Sequence, residues 1–295
     1  MLQQKEFNIL SVIEENNKKL SQRELAKLTN LSIGTVNSTI AKLEKNNLIN
    51  EGKITQQGLS ELEPYKVKKI IFIAAGFSSR LAPITLNTPK PLIRVNGQRI
   101  IDSMLDTAIN LGIEEIYIVR GHLSEQFDQL LYKYPNIKFI DNPKYNEENN
   151  ISSAFYAKDF FQNAYICEAD IILKNPHLLK KYQYNSNYCG VKCERTDDWC
   201  LFENKGKITG VSVGGINGYR MVGISYWTEN DGKKLSEYVE RVYNMPGGKE
   251  RYWDDVPLTY FIDDFNLYIR ECTNEDFIEI DTFKELKAID SVYNI

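Results

Sequence analysis

A chain of 295 residues has room for one or two domains with sizeable cores. Its 42% hydrophobic and 26% charged residues exclude wholesale disorder, and no apolar run approaches membrane-spanning length. A formal charge of −4 selects no class of partner, while five cysteines without a CxxC pair argue against both a disulfide framework and a zinc ribbon. The N-terminal stretch is too polar for a signal peptide, so a cytoplasmic location is expected.

Phe7, Leu10 and Ile13 recur at helical spacing, and Leu20 follows a polar break, which predicts a first amphipathic helix and its exit. Ser21 precedes QRELAKLT with Glu24 three positions on, the spacing of a capping box. After the turn NLS, Ser32 opens IGTVNSTIAKLEKNN, in which Val36, Ile40 and Leu43 share one face. LINEGKITQQGLSEL then reads as two short β-like pieces around Glu51-Gly52. This order resembles the winged helix-turn-helix domains of bacterial regulators, whose third helix enters the DNA major groove. Acidic and basic residues balance here, so the basic face of a dedicated DNA binder is missing. Thr35, Asn37, Ser38 and Lys42 would nonetheless suit the exposed side of a recognition helix. Residues 1–65 are expected to be a winged-helix domain, either contacting DNA or serving as an interaction module that keeps the shape.

From Lys68 onward the pattern becomes strand and helix in alternation. KKIIFIAAG, EEIYIVRG, NIKFIDN and NAYICEADIIL read as strands, and IIDSMLDTAINLG and SEQFDQLLYKY as helices. Residues 66–295 are therefore expected to form a Rossmann-like α/β domain with a mixed, mostly parallel sheet and ligands at the carboxyl ends of its strands.

The stretch AAGFSSRLAPITLNTPKPL carries the chemistry. Gly76 follows a strand where the backbone must turn and approach a ligand closely. Successive N–H groups from Ala75, Gly76, Phe77, Ser78 and Ser79 could form a nest for phosphate oxygens. Arg80 can grip phosphate through two nitrogens, and Lys90 sits on a loop stiffened by Pro89 and Pro91. GxxxxGK[ST] is absent, so this is no Walker A loop. A plain strand-to-loop connection with solvated cations is the competing reading.

Gly76, Arg80, Pro83, Thr85, Pro89 and Lys90 together resemble the signature of the nucleotidyltransferases that activate sugar phosphates and small alcohol phosphates. Ser78 stands where that family commonly has a second glycine. The resemblance is nearest to the bacterial CTP:phosphocholine cytidylyltransferases and runs over residues 68–292. It is carried by NEENNISSAF, EAD (168–170), TDDWC (196–200), GISYW, RYWDD (251–255) and EIDTF (279–283). It implies in-line attack of phosphocholine on the α-phosphate of CTP, giving CDP-choline and pyrophosphate. Arg80, Lys90, Asp170 and Asp254 would be the catalytic set, Asp170 and Asp254 would hold Mg2+, and Asn150 and Ser153 would help hold the base. A quaternary ammonium calls for aromatic faces and a carboxylate. The three tryptophans, Trp199, Trp227 and Trp253, with Tyr252 and Glu279, are the expected choline contacts, although large aromatics beside a cleft also simply pack cores. Two alternatives stand: a sugar-1-phosphate nucleotidyltransferase, and a DNA-binding regulator that senses nucleotide or phosphocholine.

Overall fold

The computed structural model describes residues 1–16 and 19–294. They fall into two compact units, Met1–Lys66 with Tyr182–Tyr184, and the remainder from Val67 on.

In the first unit, α1 (Gln4–Glu15), α2 (Gln22–Thr29) and α3 (Ile33–Lys45) pack around Leu10, Leu25, Val36 and Leu43. The capping box at α2 is made: the Glu24 N–H donates to Ser21 Oγ at 3.3 Å and the Ser21 N–H to Glu24 at 2.7 Å. Strands β1 (Ile49–Asn50) and β2 (Lys53–Ile54) form the wing, turned by Glu51 and Gly52, both with positive φ. Beyond them the chain departs from the expected second β-like piece. Gln56–Leu62 is a helix, α4, capped by Thr55, whose Oγ1 accepts from the Gly58 N–H at 3.0 Å. Gly58 is there for space, since a β-carbon would fall 2.2 Å from the Leu48 carbonyl oxygen.

The second unit contains β3 (Lys69–Ile73), β4 (Arg94–Val95), β5 (Gln98–Arg99), α5 (Asp102–Asn110), β6 (Glu115–Arg120) and β7 (Ile137–Asp141). Then come α6 (Ile151–Ala157), β8 (Ala164–Glu168), β9 (Ile171–Leu173), β10 (Asn187–Asn204), β11 (Lys207–Trp227), α7 (Glu229–Tyr243), β12 (Tyr268–Cys272), β13 (Phe277–Glu279) and α8 (Phe283–Ile289). The central sheet runs β10-β12-β11-β8-β3-β6-β7 and is mixed, parallel from β8 through β7. Along β3 the period of two sends Ile70 and Phe72 to one face, against Met104, Leu105 and Ala108 of α5. Ile71 and Ile73 go to the other face, against Ile151 and Ala154 of α6 and Leu235 and Val239 of α7. The result is a Rossmann-like three-layer domain. SEQFDQLLYKY forms a run of 3-10 turns over Ser124–Tyr132 rather than the expected α-helix. Among the described residues no helix is long and apolar enough to cross a membrane.

Candidate active site

The carboxyl ends of β3 and β8 open onto a cleft of about 230 Å³. Ala75, Gly76 and Ser78 supply one wall, and Asn150 and Ser153 face them. A β-carbon on Gly76 would meet no atom within 4 Å, so the fold does not need glycine there and the space is left for a ligand. Ser78 adopts φ 52°, ψ 54°, the left-handed conformation a glycine would take freely. Its carbonyl accepts from Thr85 Oγ1 at 3.2 Å, which holds the loop in place. Phe77, Ser79 and Arg80 lie outside the cleft lining, and Phe77 instead packs edge-on to His122 at 4.6 Å. Ser153 Oγ accepts from the Asn142 amide at 3.0 Å, and Asn150 Oδ1 accepts from the Trp253 N–H at 2.9 Å.

Lys90 is buried. Its Nζ donates to Asp170 Oδ2 at 2.7 Å and to Asp281 Oδ1 at 3.1 Å. Burial alone would pull this ammonium down, but the attraction of Asp170 and Asp281 outweighs it and holds Lys90 above its ordinary pKa. Arg80 Nη2 reaches the same Asp281 oxygen at 2.9 Å, so one carboxylate ties both cations.

The acidic grouping differs from the expected pair. Carboxylate oxygens of Asp170, Glu279 and Asp281 lie within 4.8 Å of one another, and Asp254 is not among them. Two E-x-D segments create this cluster, Glu168-Ala169-Asp170 leaving β8 and Glu279-Ile280-Asp281 leaving β13. Antiparallel pairing of β13 with β9 lays them side by side, and the Ile280 N–H faces the Asp170 carbonyl. Asp170 Oδ1 is buried with no hydrogen-bond partner, and hard carboxylate oxygens at this spacing suit a divalent cation. The donor set therefore fits Mg2+, with Asp170, Glu279 and Asp281 as its holders. Glu279 is pushed up to about 7 by burial and by Asp170 and Asp281, against the pull of Arg220, whose Nη1 donates to it at 2.9 Å.

A second cavity of about 100 Å³ adjoins the cleft, and Glu168 lines both. Tyr188, Trp199 and Trp253 supply its rings; Glu168, Asp198, Asp254 and Glu279 supply its carboxylates. Trp253 stacks on Tyr188 at 6.2 Å, and the Tyr188 hydroxyl donates to Asp254 Oδ1 at 3.0 Å. Burial pushes Asp254 up to about 7, and burial followed by Asp170 and Asp254 pushes Glu168 well above the usual carboxylate range. Gly223 makes room for this group, because a β-carbon there would come within 2.6 Å of Glu168 Cγ.

Two expected ring contacts are corrected. Trp227 is fully buried in the core, its Nε1 donating to Ser225 Oγ at 3.0 Å and its ring packed on Phe265. Tyr252 is half-exposed and lies outside the second cavity, edge-on to Trp199. Glu168, Tyr188, Arg220 and Asp281 were not singled out from sequence. The repeated E-x-D spacing was the signal available for Glu168 and Asp281, since alternate residues of an extended segment share a face.

Residues 2–50 match a winged helix-turn-helix DNA-binding family, and residues 68–194 match the nucleotidyl transferase family. The 2-aminoethylphosphonate cytidylyltransferase of Lancefieldella rimae is 37% identical over 76% of this chain and 92% of its own length. The choline-phosphate cytidylyltransferase of Streptococcus pneumoniae is 30% identical over 76% of this chain and 97% of its own. The solved structure of the CTP:phosphocholine cytidylyltransferase from Streptococcus pneumoniae superposes with a TM-score of 0.71 at 30% identity, over 77% of this chain and 99% of that one.

Proposed function

This chain belongs to the nucleotidyl transferase family, among its cytidylyltransferases, and on that premise we propose that it joins CTP to a small alkyl phosphonate or phosphate bearing a cationic nitrogen, 2-aminoethylphosphonate foremost. The observation that carries this reading is the second cavity, where four carboxylates and three rings surround a small space that shares Glu168 with the cleft. A primary ammonium has three N–H donors that need acceptors, and Glu168, Asp198, Asp254 and Glu279 offer them. The rings of Tyr188, Trp199 and Trp253 favour a second reading, phosphocholine, because a quaternary ammonium is held by aromatic faces. A sugar phosphate has less support, since carboxylates and rings rather than amides line the cavity.

In this reading the phosphonate oxygen attacks the α-phosphorus of CTP and pyrophosphate leaves on the opposite side. The attacking oxygen is already anionic, so no general base is needed. The N–H groups of the 75–78 loop cradle the triphosphate, and Lys90 places its charge on the reacting phosphoryl group. Arg80 and Lys90 exchange Asp281 for phosphate oxygens as the nucleotide enters. Mg2+ on Asp170, Glu279 and Asp281 would neutralise charge that develops on the phosphates. Asn150 links the nucleotide cleft to Trp253 through its hydrogen bond, so base and acceptor sites are mechanically joined.

The first unit is proposed to contact DNA through the face of α3 that exposes Asn37 and Ser38; Lys42 there is paired with Glu6 at 2.5 Å. Binding of that kind weakens steeply with salt, and a gel shift that is absent at low salt would remove it.

Pyrophosphate release with CTP and Mg2+ tests the enzymatic reading across 2-aminoethylphosphonate, phosphocholine, phosphoethanolamine and glucose-1-phosphate. Release led by the primary amines is the expected result. Release with glucose-1-phosphate alone would overturn the acceptor assignment.

A further inference from the structure

Beyond the acceptor cavity lies a third and larger one, of about 400 Å³. A single residue, Trp199, is common to the linings of both. The outer cavity is walled by Val211 and Val213 of β11 on one side and by Arg251 and Tyr252 on the other, with Glu250 and Asp255 at its edge. The Trp199 ring is held there by Tyr252, edge-on at 5.7 Å and 81°, while its N–H donates to Asp198 Oδ1 at 2.7 Å. The backbone around it is irregular: pairing of β10 with β11 slips between Thr196 and Trp199. Trp199 is therefore positioned by one half-exposed tyrosine and a bulged strand rather than by core packing.

We infer that Trp199 is the residue that sets the length of acceptor chain, by dividing a cavity sized for a two-carbon aminoalkyl phosphonate from a chamber that would accept a longer one. The inference rests on the acceptor reading above. It follows from three features on the wall between the cavities. The inner cavity is small and already crowded by Glu168 and Met221, so added methylenes have to go outward. Outward, the obstacle is the indole. Past it, apolar surface on Val211 and Val213 would take methylenes, and the carboxylates of Glu250 and Asp255 would meet the displaced ammonium.

The test uses the full chain with saturating CTP and Mg2+, and measures kcat/KM for 2-aminoethyl-, 3-aminopropyl- and 4-aminobutylphosphonate by pyrophosphate release. Wild type should prefer the two-carbon acceptor over the three-carbon one by roughly tenfold or more, the usual discrimination per methylene in a closed pocket. Trp199→Ala should slow the short acceptor, which loses a ring contact, and raise the ratio of long to short by about tenfold. The KM for CTP should stay unchanged. Tyr252→Ala, at a half-exposed position that touches only the outer cavity, should shift the ratio the same way by less. It also keeps the test valid if Trp199→Ala does not fold. A ratio that stays fixed in both variants while all acceptors slow together would overturn this inference and leave the acceptor reading intact. A wild type that takes the four-carbon acceptor as well as the two-carbon one would do the same. No release from wild type with any aminoalkyl acceptor would overturn both.

Discussion

Replacing Lys90 by methionine keeps the shape of the side chain and removes its charge. The ammonium lies 2.7 Å from Asp170 and 3.1 Å from Asp281, and only 8% of the side chain is exposed. At an effective dielectric constant of about 20, each contact is worth roughly 5 kcal/mol of gross attraction, before desolvation is set against it. Removing one partner from a buried pair costs about 3–5 kcal/mol net. Asp170 and Asp281 are 20% and 29% exposed, and water relieves them in part, which places Lys90→Met near the lower end. About 3 kcal/mol lowers Tm by roughly 6–12 °C in a unit of this size. Because three carboxylates are left without their central cation, millimolar Mg2+ should recover more of the Tm in the variant than in wild type. Loss of a charge aimed at the reacting phosphoryl group should lower kcat by about 10²–10³-fold. Calorimetry with and without Mg2+, together with pyrophosphate release, checks both effects. A variant that melts like wild type and turns over within about threefold of it would refute the reasoning.

Asp281→Asn and Asp254→Asn separate the two acidic positions. The first should raise the Mg2+ concentration for half-maximal turnover by about tenfold or more, the second should raise KM for the acceptor with that of CTP unchanged, and a metal titration with steady-state kinetics distinguishes them. Gly223→Ala places a β-carbon 2.6 Å from Glu168 Cγ, so Glu168 must move, and KM for the acceptor should rise while the fold persists by circular dichroism. Trp227→Phe should lower Tm, by less than the roughly 3–5 kcal/mol of full truncation, and leave the ranking of acceptors unchanged in the same panel.

Local signals with their own physics were legible in the sequence. The capping box of Ser21 and Glu24 names its hydrogen bonds by spacing alone, and both are made. The apolar run of β3 is buried on both faces, as a central parallel strand must be. Lys90 between two prolines and Asp170 at a strand end also meet where strand polarity puts ligands. What escaped the sequence depends on tertiary pairing. Asp281 reaches Lys90 only because β13 pairs with β9, and Asp254 and Asp281 cannot be ranked by spacing. Trp227 and Trp253 both sit beside acidic or polar neighbours in sequence, yet one is a core ring and the other a cavity wall, since strand alternation decides which face each meets. α4 was missed because Gly58 reads as a breaker, whereas here it admits the Leu48 carbonyl.

The account turns on one reaction, and 31P NMR of CTP, Mg2+ and 2-aminoethylphosphonate incubated with the protein tests it most directly. The expected result is equal growth of free pyrophosphate and of a coupled pair of resonances from a phosphonate joined to CMP. An unchanged CTP spectrum with every aminoalkyl acceptor, alongside consumption of CTP with glucose-1-phosphate, would contradict it.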